Sequence, residues 1–487
     1  MKPSTKPDWT TLIRRLLLVS WAGLSVAWIS QDRLIRDGDE EGHVGAAEMY
    51  LTDLHQGALS EFVRKLWMGH EMGPYPQAFS SLVGGWWWAM DGGLPSRTSV
   101  RAVCLVSLIT TALVVARIAT RFVSAHSARS ASLIALATVL ILPLANGLTR
   151  HFMLEGMLMA MVALAVLAAL RWTERPTVGR AAWLGVVAGV GLLTKQTFVL
   201  VALTPLAFLT LGHFKRHRAS ATVALLATLF VAGPWWFSRL SEQVSYASAS
   251  AAGHGSGGPL DHIIYYPTIL AKLGLGPPLF ALSLWAAGRL LRNATPQTRR
   301  GLLLVGCWLV GGLIILTLIP KKYPRLLAPL TPSIAILLAM LWTQSQRERR
   351  TVGLGLLLGT VWIIAASTGH TPPLERNAAI DPGCPQQWLR APSSNDLGLG
   401  SVAAILAEAP PGGVSISQDI EIPCDVQTTR SWSTHLGPYL RRSGRERDVS
   451  VSAEPAGRFI IRVTEMEDGL NIEGTGKYLN IRDRLEP

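Results

Sequence analysis

Apolar residues run for many positions at a time through the first three quarters of the chain, and short polar turns separate the runs. A bilayer crossing needs about 20 such residues. Runs of this kind lie near 11–30, 99–116, 130–148, 152–170, 220–237, 266–288, 301–319, 324–342 and 351–369. The stretch 181–214 is longer, and Lys195 and Gln196 interrupt its middle. Basic clusters flank it on both sides: Arg171, Arg175 and Arg180 before, Lys215, Arg216 and Arg218 after. A single crossing would put those clusters in different compartments. The pattern therefore predicts a hairpin of two short helices with Lys195 at its tip.

Lys2, Lys6, Arg14 and Arg15 place the N-terminus on the cytoplasmic side. The remaining basic turns, from Arg117 to Arg350, share that side if 31–98 crosses an even number of times. "PYPQAFSSLVGGWWWAM", 74–90, is apolar but short, with Pro, Gly and three Trp of the interfacial kind. It is read as partly inserted or paired with a neighbour. The count is eleven crossings, with up to two more here, and an outer C-terminus. Residues 16–30 lack a small-residue cleavage site and read as an uncleaved anchor.

Val44, Ala47, Leu51, Leu54, Ala58, Phe62 and Leu66 recur at steps of three and four. They predict an amphipathic helix over 43–68, lying on the outer membrane surface or packed in a small outer subdomain. From about 370 the long apolar runs stop. "SVAAILAEA" reads as a helix, and "GGVSISQDIEI", "GRFIIRVTEM" and "KYLNIRD" as strands. The fold class expected is an all-α polytopic membrane protein over 1–369, with about 11–13 transmembrane helices. Its outer loop is 31–73, and a small soluble extracytoplasmic α/β domain occupies 370–487.

Composition agrees. Of 487 residues 49% are hydrophobic and only 16% charged, which is the profile of a membrane protein. The net charge of +13 sits in clusters between apolar runs, so it is topological and no nucleic acid partner is expected. Cys104 and Cys307 lie in apolar runs as packing residues; Cys384 and Cys424 lie in the outer polar part, where a disulfide is allowed.

This topology gathers the chemistry on one side. "DGDEEG" (Asp37, Asp39, Glu40, Glu41) follows the first run, and "NGLTRHFMLEG" brings Arg150 and His151, with Glu155 one turn into the next helix. Lys195 tips the hairpin, the polar loop 238–265 carries Asp261, His254, His262 and Tyr265, with Tyr266 just after, and "IPKKYPRLLAPLTP" brings Lys321, Lys322, Tyr323 and Arg325. Arg150 and Arg325 have a plain reading as snorkelling cations, and Glu155 as a structural partner of Arg150. Lys321 and Lys322 run against the positive-inside trend. Cations at the outer interface suit an anionic phosphate headgroup, and carboxylates nearby suit a general base or a metal. A transporter would carry such groups nearer the bilayer midplane and show repeats; a binding or sensory protein would leave these groups without a task.

These segments resemble, in order over about 30–345, the polyprenyl-phosphate-dependent membrane glycosyltransferases of the GT-C fold, nearest to protein O-mannosyltransferases and lipid A aminoarabinose transferases. "DEEGHVGAAEMY" resembles their acidic loop motif and "GPYPQAFSSLVGGWW" the proline segment after it. "LTRHFMLEGMLMAMVALAVLAAL", "WLGVVAGVGLLTKQTFVLVALTP" and "PKKYPRLLAPLTPSIAILLA" resemble the later ones. The resemblance implies inverting transfer of a sugar from a polyprenyl-phosphate donor to a lipid, glycan or protein acceptor outside the cytoplasm. It implies that Asp39 activates or orients the acceptor hydroxyl, with Glu40 as the second acid. It implies that Lys195, Lys321, Lys322 and Arg325 hold the donor phosphate, joined by Arg150 and, as pocket residues, Glu155, His151, Tyr265, Tyr266 and Tyr323. Here "DGDEE" offers competing acids, and Pro324 displaces the Arg that usually follows Lys-Tyr. No cofactor follows from the motifs. Some relatives bind a divalent metal through outer-loop Glu and His; His70, Glu71, His254 and His262 are the counterparts, with no metal-ligand spacing among them.

Overall fold

A computed structural model describes residues 9–32, 38–68, 75–90, 97–252, 258–293, 295–319 and 322–368, and the strand segments 414–419, 449–451, 459–466 and 469–475. The first part is helical throughout. Helix α1 (Trp9–Gln31) is followed by α2 (Gly38–His55), α3 (Leu59–Met68) and α4 (Ala78–Met90). Then come α5 (Arg97–Ala119), α6 (Ala128–Leu140), α7 (Pro143–Thr149), α8 (Leu154–Glu174), α9 (Val178–Thr194), α10 (Phe198–Phe214) and α11 (Arg218–Ser238). The series ends with α12 (Leu240–Ala252), α13 (Pro259–Ile269), α14 (Gly276–Arg292), α15 (Pro296–Gly306), α16 (Gly312–Leu318), α17 (Ser333–Trp342) and α18 (Gln346–Ser367).

Six helical stretches among the described residues are long and apolar enough to span a bilayer, and nine if each bent pair is one span; α9 and α10 are shorter apolar helices. Val19 on α1, Phe230 on α11 and Leu357 on α18 are at least 60% exposed. Apolar surface on this scale does not face water. Within the spans, hydroxyls return to carbonyls four residues back, as Thr111 does to Ser107, Thr138 to Ile134 and Thr194 to Val190, which is how polar side chains are satisfied in hydrocarbon. The chain is an integral membrane protein.

Three runs read as single spans are broken: 324–342 bends by 43° between the turn Pro324–Leu330 and α17, and at the other two the causes are local. Pro143 has no N–H to continue α6, so the chain turns by 62° into α7. The Asn146 amide donates to the Leu140 and Leu142 carbonyls at the break, and its oxygen accepts from the Trp21 indole. In 266–288 the turn is 113°, at Gly276 (φ +71°), where a Cβ would also strike the Trp362 ring. The hairpin over 181–214 is present as α9 and α10, with Lys195 between them.

The 43–68 helix is also corrected. Gly57, at φ +66°, divides it into α2 and α3. Val44, Ala47, Tyr50 and Leu51 are buried and α2 packs against α4, with Gly84 so close that a Cβ would lie 2.6 Å from the Ala47 carbonyl. The first half is therefore a packed helix; only α3 keeps the predicted surface character, with no buried residue. The polar segment 238–265 is largely helical, in α12 and α13.

Helix α8 is the buried axis, contacting α5, α9 and α10. Gly185 and Gly189 on α9 face α11: a Cβ at Gly185 would lie 2.2 Å from the Ala224 carbonyl, and one at Gly189 2.7 Å from Val231 Cβ. Small residues allow this approach, and the Thr228 hydroxyl uses it to reach the Gly185 carbonyl. Gly185→Leu should lower stability by about 1–3 kcal/mol, read as thermal unfolding in detergent. Gly179→Leu, with nothing within 4 Å of the new Cβ, should be near neutral; equal effects would refute the close-packing account.

The strands β1 (Val414–Asp419), β2 (Val449–Val451), β3 (Phe459–Met466) and β4 (Gly469–Thr475) form one sheet in the order β2-β1-β3-β4. β1 runs parallel to β2 and β3, and β3 pairs antiparallel with β4, Met466 opposite Gly469. The two predicted strands ending in "SQDIEI" and "RVTEM" correspond to β1 and β3. The expected helix 401–409 and strand 477–483 lie outside the described residues, as do Cys384 and Cys424.

Candidate functional site

The break between α7 and α8 sets the site. Met153 is extended and caps α8, which puts Glu155 in the first turn, 1% exposed. Lys195 is the extended residue that ends α9, 6% exposed. Arg325, 8% exposed, sits in the tight helical turn Pro324–Leu330, started by the proline. Three segments distant in sequence thus meet: the Lys195 ammonium donates to Glu155 Oε1, and Arg325 Nε lies 3.6 Å from the same oxygen. Glu155 Oε2 is buried and accepts no hydrogen bond among the described residues. Arg150 does not pair with Glu155, contrary to the structural-pair reading. Its guanidinium donates to the Ser367 hydroxyl at 2.7 Å and lies over the Trp28 ring. Burial lowers it to about 10, so it stays charged at neutral pH.

The Arg325 guanidinium lies over the Tyr323 ring, and the Tyr323 N–H donates to the Tyr266 hydroxyl at 3.4 Å. Tyr266 is fully buried, edge-on to Tyr265. Lys322 Nζ lies 5.5 Å from the Tyr266 ring centre and donates to the carbonyls of Leu316, Thr317 and Ile319 at 3.1, 2.6 and 2.5 Å. It satisfies the carbonyls that α16 leaves open at its end. Burial pushes its ammonium down to about 8, and the three acceptors oppose that fall. Lys321 lies outside the described residues.

A second charged group adjoins the first through the segment 150–155. Arg101 on α5 is fully buried; its Nε and Nη2 donate to the Glu40 carboxylate at 2.6 and 3.1 Å, and its Nη1 to Asp32 Oδ2 at 2.8 Å. The Phe152 N–H also donates to Glu40 Oε1, at 3.2 Å, and His151 Nδ1 lies 3.8 Å from Oε2. Asp39 precedes Glu40 in α2. The two groups are opposite in composition: one cation with two carboxylates, then one carboxylate with two cations. A spare positive charge between Lys195 and Arg325 can receive an anion, in a site where burial strengthens each contact.

Helix α8, which carries Glu155, and α9, which ends at Lys195, also help to wall an apolar cavity of about 800 Å³, lined among others by Phe62, Trp67, Trp86, Met157 and Leu193. Met157 and Leu193 are two positions from Glu155 and Lys195. Arg101 and Asp32 were not singled out from sequence; the available signal was an arginine at the third position of the apolar run 99–116. Among the described residues no cluster of His, Cys, Asp and Glu could hold a metal. His70, Glu71 and His254 lie outside them, and His262 is on α13.

Residues 92–237, from before α5 to the end of α11, match the family model for dolichyl-phosphate-mannose-protein mannosyltransferases. No curated protein matches the chain. Among solved structures, ArnT from Cupriavidus metallidurans bound to undecaprenyl phosphate has a TM-score of 0.61 at 14% identity, covering 93% of both chains. Its apo state gives 0.57 at the same identity and coverage. The fold is that of the GT-C membrane glycosyltransferases, as the sequence resemblance implied.

Proposed function

We propose that this chain, carrying the GT-C fold, is an inverting glycosyltransferase that moves a sugar from a polyprenyl-phosphate donor to an acceptor on the outer side of the membrane. The observation that carries the reading is the buried Glu155–Lys195–Arg325 cluster, one carboxylate shared by two cations, on helix ends whose neighbouring turns wall an apolar cavity. An isoprenoid tail needs an apolar surface, and its phosphate needs fixed cations; the cavity-lining Met157 and Leu193 stand two positions along the chain from Glu155 and Lys195. Glu155 orients the two cations and offsets one of them, leaving one positive charge for the phosphate. As the sugar leaves, negative charge grows on the phosphate, and Lys195 and Arg325 stabilise it. Inversion needs one base on the opposite face of the sugar and no covalent intermediate. Asp39 is assigned that role, because Glu40 is held by Arg101 and the Phe152 N–H. Residues 1–369 form the catalytic unit in this reading, and 370–487 an outer domain.

The test is transfer from labelled polyprenyl-phosphate hexoses and pentoses in membranes carrying the chain. Wild type should release free polyprenyl phosphate. Lys195→Ala should raise the donor KM about tenfold to a hundredfold, the worth of one charge-assisted contact of about 1.5–3 kcal/mol, with Lys195→Arg recovering part of it. No release from any donor would sink the proposal, and an unchanged KM would remove Lys195 from the phosphate site.

A further inference from the structure

The end of the molecule remote from Glu155 holds a second cavity, of about 490 Å³, lined by charged and hydroxyl side chains as well as apolar ones. Glu155 opens α8 and Glu174 closes it, which separates the two ends by about 28 Å. Four arginines from different elements converge on this cavity: Arg14 of α1, Arg117 of α5, Arg121 just after it and Arg129 of α6. Thr10 and Ser132 add hydroxyls to its wall. Glu174 pairs with Arg121. Arg14, Arg117 and Arg129 have no acidic partner among the described residues. The fold thus brings like charges together and leaves three of them unbalanced.

Arginines at this end also fix topology, but that role needs only their charge on one side of the membrane. It does not need three helices to aim them at one cavity lined with hydroxyls. Repulsion among four guanidiniums is relieved by an anion that accepts from several at once, and phosphate oxygens match the guanidinium fork. Leu16 and Val19, 56% and 71% exposed, follow Arg14 along α1 on its hydrocarbon-facing side, so the cavity sits at the level where the bilayer's apolar layer gives way to charge. We propose that this cavity is a binding site for the phosphate headgroup of an anionic bilayer lipid, separate from the donor site. Basic pockets between transmembrane helices take such headgroups.

Native mass spectrometry of the purified full-length chain would measure binding of phosphatidylglycerol and phosphatidylcholine, with inorganic phosphate as competitor. Wild type should bind phosphatidylglycerol preferentially, and millimolar phosphate should leave it bound. The Arg14→Gln/Arg117→Gln/Arg129→Gln variant should bind it on the order of a hundredfold more weakly at low salt, while the matching triple Lys variant retains most of the affinity. Arg292→Gln/Arg299→Gln/Arg300→Gln, equal in charge, should bind like wild type. Undiminished binding in the first variant overturns the site. Equal loss in the two Gln variants reduces it to the overall charge, and displacement by phosphate or equal binding of phosphatidylcholine removes the lipid as its ligand.

Discussion

Asp39→Asn is expected to leave donor KM near wild type and to lower kcat by about 10²–10⁴-fold, the usual range for losing a general base. The substitution keeps size and shape and removes only the ability to accept a proton. Asp37 and Glu41 flank the position, so Asp37→Asn and Glu41→Gln serve as comparisons and should cost far less. Single-turnover release of polyprenyl phosphate measures the step directly. If Asp39→Asn turns over like wild type while one of the flanking variants fails, the base is reassigned within the loop. If all three are active, proton transfer does not reside there. Glu40→Gln is a different experiment: it removes charge from a carboxylate that holds Arg101 and the Phe152 N–H, so its losses should appear in stability as well as rate.

Arg101→Met should destabilise the protein by about 3–5 kcal/mol, the cost of breaking a buried ion pair from one side. Asp32 and Glu40 would remain, each at most 3% exposed, without their cation. The measurement is the apparent melting temperature in detergent, read with the yield of monodisperse protein. Adding Asp32→Asn and Glu40→Gln to Arg101→Met should recover much of the loss, since uncharged groups tolerate that burial better. A loss that simply adds over the three substitutions would mean that the groups are not coupled.

Much of the fold was legible because the bilayer imposes a simple rule of length and polarity. Runs such as 152–170 and 220–237 became α8 and α11, and Lys195 was correctly read as a hairpin tip, because a charge with basic flanks on both sides has few other places. The breaks were harder. Pro143 and Gly276 lie in stretches whose hydropathy is that of a single span, and averaging over 20 residues hides a turn made by one of them. The period of 43–68 was right, but Gly57 stops the helix, and a partner helix, α4, covers the half that was read as lying on the membrane. In the site, residues at run ends were found because charge there is conspicuous. Pairing was not legible. Glu155 sits five residues from Arg150 yet joins Lys195 and Arg325, 40 and 170 positions away, and sequence spacing holds no information on that choice.

The glycine at position 57 has an architectural side. Helix α2 is clamped against α4, whereas α3 buries no residue and is held to α2 by the Lys65–Asp53 pair at 2.8 Å and the Phe62–Tyr50 ring contact, and to α11 by the Trp67–Phe230 contact. Phe62, Leu66 and Trp67 of that helix form one side of the apolar cavity. The single left-handed residue at Gly57 thus lets one continuous stretch of chain serve two purposes, scaffold in α2 and wall of a lipid-sized hollow in α3.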